Sequence, residues 1–358
     1  MSLIPSGVQR SVALAQRHAR FFGRHNTPLK MANLLSLYLQ KWANRSALTA
    51  YPFEIIIEPT NICNLHCPLC PTGQGTATRP PGRMRLETFR GIIDRLGRYL
   101  YKVRIYNWGE PLLHPDIFRM IAYATASNVS TEISSHMNVF TEEHAKAMIA
   151  SGLELLVVSL DGADAETYSR YRVGGDFDAV VRNVALLTEA KRKAGSRYPI
   201  VEVQFLAMRH NEGQVREMGR LAARLGADSL RVGPVTLNIR NAEDLSWLPS
   251  EEALSRYYYN EKVDRIYSTR KKCEWLWRSI VVNWDGTAAP CCVYEGRKAE
   301  LGSILENDFL TVWNSPAYRR SREVFTGGGN KSQGGPRTIC SYCRGVPTAL
   351  NDRQHGLY

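Results

Sequence analysis

From Phe53 to Val235 the chain alternates six short runs rich in β-branched and aromatic residues with helix-length stretches, and this rhythm constrains the fold more than any other feature. The runs are Phe53 to Glu58, Lys102 to Asn107, Val129 to Ser134, Leu153 to Leu160, Pro199 to Met208 and Ser229 to Val235. Between them, apolar residues at helical spacing mark 86–97, 116–126, 141–151, 176–194 and 211–225. Strands separated by helices run parallel, with the helices outside. The expected fold class is therefore α/β: a parallel sheet, open or curled into a partial (β/α)6 barrel, with functional residues where strands end and loops begin.

With 358 residues, 44% hydrophobic and 22% charged, the chain has room for that unit and a smaller one, and it is neither disordered nor collagen-like. It lacks the roughly 18 consecutive apolar residues of a membrane span and, in residues 1–30, the apolar run of a secretory signal, so a cytoplasmic location is expected. Eight cysteines in a reducing compartment read first as metal or redox groups.

Five segments are expected: a basic helical one at 1–50, the core at 51–240, a polar bridging helix at 241–272, a cysteine-bearing domain at 273–343 and a tail at 344–358. Residues 1–50 hold Arg10, Arg17, Arg20, Arg24, Lys30, Lys41 and Arg45 with no Asp or Glu, so +7 of the net +12 sits there. Met31, Leu34, Leu35, Tyr38, Leu39 and Trp42 share one helical face. The leading expectation is a lid that buries this stripe against the end of the core; the rival is an anionic membrane surface, with the protein peripheral to it. Nucleic acid is not expected as a partner. Further on, Ser279 to Trp284, Asp285-Gly286 and Thr287 onward read as a hairpin, and Thr326 to Arg337 as a loop.

Cys63-x3-Cys67-x2-Cys70 follows the first β run directly. Three thiolates this close suit three corners of a cubic 4Fe-4S cluster and leave the fourth iron open. The alternative is a zinc knuckle completed by His66. The stretch Glu58-Pro59-Thr60-Asn61-Ile62-Cys63-Asn64-Leu65-His66-Cys67-Pro68-Leu69-Cys70 resembles the first strand and cluster loop of the radical S-adenosylmethionine (SAM) superfamily, with Leu69 where many members carry an aromatic residue. The resemblance implies that the open iron chelates SAM, and that one electron cleaves it to methionine and a 5'-deoxyadenosyl radical that abstracts hydrogen from a substrate.

Trp108-Gly109-Glu110-Pro111 resembles the family's Gly-Gly-Glu-Pro motif, which holds the SAM amino group; Trp108 replaces the first Gly. Ser134, Ser135 and Asn138 resemble positions that contact the ribose or carboxylate of SAM, a loop cap being the plain alternative. Ser159 and Asp161-Gly162 resemble a Ser-x-Asp-Gly pattern and are expected to face the substrate pocket. Arg172, Gln204 and Asn211 read as structural.

Cys273, Gly286, Cys291 and Cys340-x2-Cys343, with Leu301-Gly302-Ser303 and Val312 to Tyr318, resemble the auxiliary-cluster region called SPASM or, when shortened, twitch. Cys273, Cys291, Cys340 and Cys343 make one four-thiolate set for an auxiliary 4Fe-4S cluster, although structural zinc also takes four cysteines. Cys292 is left over and reads as a small buried residue. A saturated second cluster suits electron transfer, so the expected reaction is a net two-electron oxidation of a small molecule or sugar-like substrate, with flavodoxin or ferredoxin as electron donor. The alternatives are a maturase acting on a ribosomally made peptide, a redox-neutral dehydratase or decarboxylase, and a zinc-stabilised binding module.

Overall fold

A computed structural model describes residues 22–235, 242–255, 257–260, 265–268, 273–293, 295–296, 299–326, 338–340 and 348–349. After an N-terminal helix α1 (Pro28–Trp42), the core runs β1 (Glu54–Ile57), α2 (Leu86–Leu96), β2 (Lys102–Arg104), α3 (Ile117–Ala126), β3 (Ser130–Ser135), α4 (Glu142–Ala150), β4 (Leu155–Ser159), α5 (Ala165–Tyr171), α6 (Phe177–Lys193), β5 (Ile200–Ala207), α7 (Val215–Arg224) and β6 (Ser229–Pro234). Neighbouring strands from β1 to β6 pair in parallel and in sequence order, and the barrel does not close.

The strands have this form because their two faces differ chemically. Ile55, Val103, Ile133, Leu156, Val201 and Val203 are fully buried and pack in one cluster with helix residues such as Phe89, Ile121 and Val184. Each such side chain contributes about 1.5–3 kcal/mol by leaving water. Positions one residue away point to the opposite face. They carry Glu54, Lys102, Arg104, Glu132, Glu202 and Gln204, so the concave inner face is polar. Helices α4, α5 and α6 begin at side-chain caps: Thr141 accepts from His144 N, Asp164 from Thr167 N and Asp176 from Ala179 N. The short helix α5 is an addition to the sequence reading.

Three expectations are corrected. Among the described residues of 241–272 there is no bridging helix, since β7 (Tyr257–Asn260) and β8 (Arg265–Ser268) pair antiparallel; and the expected tail contributes a strand, β11 (Thr348–Ala349), which adds to β8. The tyrosine run favours strand and finds its partner in the nearby β8, whose second neighbour, β11, comes from some eighty residues away. The cysteine-bearing region is built directly onto the sheet of the core. Its α8 (Trp275–Arg278) leads into β9 (Val281–Val282), which pairs parallel with β1 and antiparallel with β10 (Ala288–Ala289), giving the sheet order β10-β9-β1-β2-β3-β4-β5-β6. The expected turn joins this hairpin, with Gly286 at φ 85° and Asp285 Oδ1 accepting from Thr287 N at 3.0 Å. Helices α9 (Phe309–Trp313) and α10 (Pro316–Glu323) pack behind it.

The third correction concerns α1, which starts at a Thr27 cap with Pro28 in its first turn. It does not bury the apolar stripe. Its docked face is Lys30, Asn33 and Leu37, with Leu34 partly buried against the core. Asn33 Nδ2 donates to Tyr51 O at 2.9 Å and its Oδ1 accepts from Tyr51 N at 2.8 Å, while Lys30 Nζ donates to Asn128 O at 2.5 Å. Backbone groups that need partners select the polar face; Met31, Leu35, Leu39 and Trp42 point outward, and Tyr38 is half exposed with its ring stacked 6.4 Å from that of Phe53. Among the described residues no helix is long and apolar enough to cross a membrane. Residues 327–337 of the expected glycine-rich loop, and Cys343, lie outside the described residues.

Candidate active site

Cys63, Cys67 and Cys70 sit in the loop leaving the carboxyl end of β1, as free thiols. The loop is held by tight backbone approaches: a Cβ at Gly73 would stand 2.5 Å from Cys67 N, and one at Gly109 would stand 2.2 Å from Thr60 O. Those glycines let the loop after β2 and the chain beyond the cysteines close on it. Leu65, Cys67, Leu69, Tyr171 and Met208 form an apolar jacket, with Cys63 and Cys70 packed against it. Leu65 N donates to Cys63 Sγ at 3.4 Å.

Burial pushes the Cys63 thiol up to about 12, and Glu110, Cys67 and Cys70 push it the same way. Burial also raises the Cys67 thiol, against a lowering by Arg172. Three thiolates here would repel one another in a dry site, so the set requires bound cations to hold its ligating form. Among the described residues no three His, Cys, Asp or Glu side chains form a group fit for a single metal ion. A cubane, whose corners each take one thiolate, fits this donor set better than one zinc ion.

Glu110 caps the turn after β2 and is buried. Its carboxylate accepts from Leu112 N and His136 N, both at 3.0 Å, and lies 3.2 Å from His136 Nε2. His136 Nε2 is also 3.0 Å from Asn64 Oδ1, and burial lowers the imidazole's proton affinity. Glu110 is thereby fixed beside Cys63, which its charge perturbs. Trp108 N donates to the buried Glu58 at 3.2 Å, and burial holds that carboxyl up at about 6. Pro111 opens a short 3-10 turn.

Ser134 and Ser159, at the ends of adjacent strands β3 and β4, bring their hydroxyls to 3.3 Å and remain partly open. Ser135 is buried and accepts from Met137 N at 2.9 Å, as a loop cap does. Asn138 is spent on its loop, donating to Tyr168 Oη at 2.9 Å and accepting from Asp176 N at 2.7 Å.

Asp161 does not face a pocket. It is fully buried, accepts from Leu206 N at 2.7 Å, and takes Arg172 Nε and Nη2 at 2.7 and 2.6 Å. Arg172 then reaches Cys67 Sγ with Nη1 at 3.8 Å. The arginine read as structural is the cation of the cysteine loop, and Asp161 aims it. Asn211 backs this pair by donating to Asp161 O at 2.9 Å. No local sequence signal joins residues 67, 161 and 172; the strand order does.

Inside the sheet, Arg104 pairs with Glu54 at 3.2 Å and with Glu132 at 3.6 Å, and Lys102 also pairs with Glu132. Tyr106 Oη donates to Glu132 at 2.7 Å. Arg231 on β6 pairs with Glu202 at 2.6 Å and donates to Gln204 at 3.1 Å. Arg278 joins Glu54 at 2.9 Å.

In the second cysteine region, Cys273, Cys291 and Cys340 all act electrostatically on Tyr318, whose hydroxyl donates to Ser279 O at 3.0 Å. Cys292 diverges from its neighbour: it packs on Ile56, Val281 and Ala289 with Trp275, and its charge reaches Arg104. Beside Tyr318, Arg322 is fully buried between the Trp313 and Tyr318 rings, at 4.4 and 4.3 Å, and forms no ion pair with a described residue. Its Nη2 lacks a hydrogen-bond partner. A buried cation without a carboxylate suits an anionic thiolate cluster close by. Arg79 ties the two regions together, pairing with Asp285 at 2.6 Å and Glu300 at 2.9 Å.

Residues 57–222 match the model of the radical SAM superfamily, and residues 273–344 that of the SPASM iron-sulfur cluster-binding domain. The AdoMet-dependent heme synthase of Methanosarcina barkeri is 27% identical over 223 residues, 62% of this chain and 62% of its own. The mycofactocin maturase MftC of Mycobacterium tuberculosis is 34% identical over 182 residues, 51% of this chain and 44% of its own. The match thus spans about half to three-fifths of these relatives. SuiB of Streptococcus suis, solved bound to S-adenosylmethionine, superposes with a TM-score of 0.60 over 79% of this chain and 70% of its own, at 16% identity, a likeness of fold.

Proposed function

The chain belongs to the radical SAM superfamily and carries a SPASM-type region, and we propose that it catalyses a net two-electron oxidation of a small polar substrate held inside the sheet. SAM bound at the first cluster would supply hydrogen-atom abstraction and the second cluster would supply a one-electron sink, so that with loss of a proton the substrate would be oxidised by two electrons. Cys63, Cys67 and Cys70 would hold the first cluster, and Cys273, Cys291, Cys340 and Cys343 the second. Glu110, kept in place by two backbone N–H groups, would hold the ammonium of SAM, and Ser134 and Ser159 its ribose or carboxylate. Arg172 compensates the charge at Cys67, and Leu65, Leu69 and Tyr171 keep water from the thiolates.

The observation that carries the reading is the charged inner face, where Glu54, Glu132 and Glu202 meet Lys102, Arg104, Arg231 and Arg278. Such a wall suits a hydroxyl-, amine- or phosphate-bearing molecule over a lipid-like one. A second reading, modification of a ribosomally made peptide, draws on the 34% identity with a mycofactocin maturase.

The test is label transfer. With dithionite as reductant, the full chain is expected to cleave SAM and a Cys63→Ala variant is not. Across deuterated cyclitols, amino sugars and short peptides, the substrate is the compound that passes deuterium into 5'-deoxyadenosine, and its product is expected to be lighter by two hydrogens. A product of unchanged oxidation level overturns the oxidation, and a peptide as sole donor favours the second reading.

A further inference from the structure

We propose that the outward face of α1 is a membrane-docking surface for anionic lipid. Of the eight large hydrophobic side chains that stand exposed among the described residues, six lie on this one helix: Leu29, Met31, Leu35, Tyr38, Leu39 and Trp42. Trp42 is 84% exposed and Leu35 62%. Positions 31, 35, 38, 39 and 42 fall on one side of the helix, opposite the docked Lys30, Asn33 and Leu37. Single exposed hydrophobics are ordinary, but a contiguous stripe marks a surface that meets something apolar.

The helix is held firmly while presenting this face. Thr27 caps it, Asn33 grips both backbone groups of Tyr51, and Lys41 pairs with Glu274 at 2.6 Å. The stripe is thus a standing feature of the fold and not a frayed end.

The occupant follows from charge and side-chain type. Residues 1–50 carry seven Lys or Arg and no acidic residue. Three of these are engaged within the fold, Lys30 buried on the docked face and Arg24 and Lys41 paired with Glu154 and Glu274, but a segment with no acidic residue of its own still favours the negative potential of an anionic leaflet. Tyr38 and Trp42 are the amphipathic rings that settle at a headgroup boundary, above leucines that enter the acyl region. A second copy fits less well, because a two-fold pairing of this face would set one basic segment against the same segment of its mate. The proposal is independent of the reaction assigned above.

The experiment is sedimentation of the full, anaerobically purified chain with phosphatidylcholine vesicles containing phosphatidylglycerol, beside vesicles of phosphatidylcholine alone. Binding is expected on the anionic vesicles at low salt, and is expected to fall at least about tenfold on neutral vesicles or at about 0.5 M salt, where charges are screened within a few ångströms. Leu35→Glu with Leu39→Glu should abolish it while iron content and melting temperature stay unchanged. Should that pair disturb the helix, Leu35→Gln with Trp42→Gln gives the same readout without added charge. Equal binding to both vesicle types, or undiminished binding by the variants, overturns the proposal. So does a dimer that the variants dissociate, which would make the face an interface between copies, and binding that appears only after residues 1–21 are removed, which would make that segment the occupant.

Discussion

Arg172 divides its guanidinium between Asp161, which is fully buried, and the sulfur of Cys67. Removing one partner of a buried pair leaves the other charge uncompensated and typically costs about 3–5 kcal/mol. Arg172→Met is therefore expected to lower the free energy of denaturation by that amount, measured by urea titration; a loss of only a few tenths would show that the pair holds nothing. The adjacent cysteines give a sharper contrast. Cys291, like Cys273 and Cys340, acts electrostatically on Tyr318, whereas Cys292 packs on Ile56, Val281 and Ala289. Cys291→Ala is expected to reduce iron from about eight to about four per chain, and Cys292→Ala to leave it unchanged, by iron assay after anaerobic reconstitution. Equal iron in both variants would mean that either thiol can serve.

Among the elements, α1 is docked by polar groups. Burial lowers the Lys30 ammonium from its usual 10.5 to about 8 while its Nζ holds the carbonyl of Asn128. Below about pH 8 the folded chain carries the full cost of that buried charge. Between about 8 and 10.5 the folded state has released the proton and the unfolded chain still binds it, so this group makes stability rise with pH. Lys30→Met, which has no such charge, is expected to be more stable than the parent near pH 7, with the gap closing as pH approaches 10. Melting temperatures of the two proteins across that range are the check; a constant gap would show that Lys30 does not titrate in the window.

At the scale of the whole molecule, the two cysteine regions belong to one framework. Ile56 N donates to Ile280 O at 2.9 Å and Glu58 N to Val282 O at 2.8 Å, so β1 has β2 on one side and β9 on the other. Trp313 Nε1 donates to Ala50 O at 3.1 Å, and Arg322 Nη1 to Ser46 O at 2.8 Å. The segment before β1 is thereby clamped by α9 and α10. The loop bearing Cys63 leaves a strand whose edge is supplied by the region bearing Cys291, which fixes the distance between the two sets through a rigid sheet.

Much of this was determined by the sequence alone. The β1 to β6 strands and, α5 aside, the helices between them arise from local periodicity and caps such as Thr141 and Asp176, interactions spanning a few residues, so their places were legible within about four residues. The cysteine spacings were legible for the same reason: a cluster loop is a local object. Partners distant in sequence were not. Periodicity marked the apolar stripe of α1, but only the carbonyls of Tyr51 and Asn128 decided that the opposite face docks. Spacing could not tell Cys291 from Cys292, because packing against Ile56 and Val281 turns one away from the other. Asp161 read as a pocket residue until the fold set Arg172 and the Leu206 amide against it. In each case a buried polar or apolar group took the partner that the tertiary structure placed within reach, and local sequence carries no record of that choice.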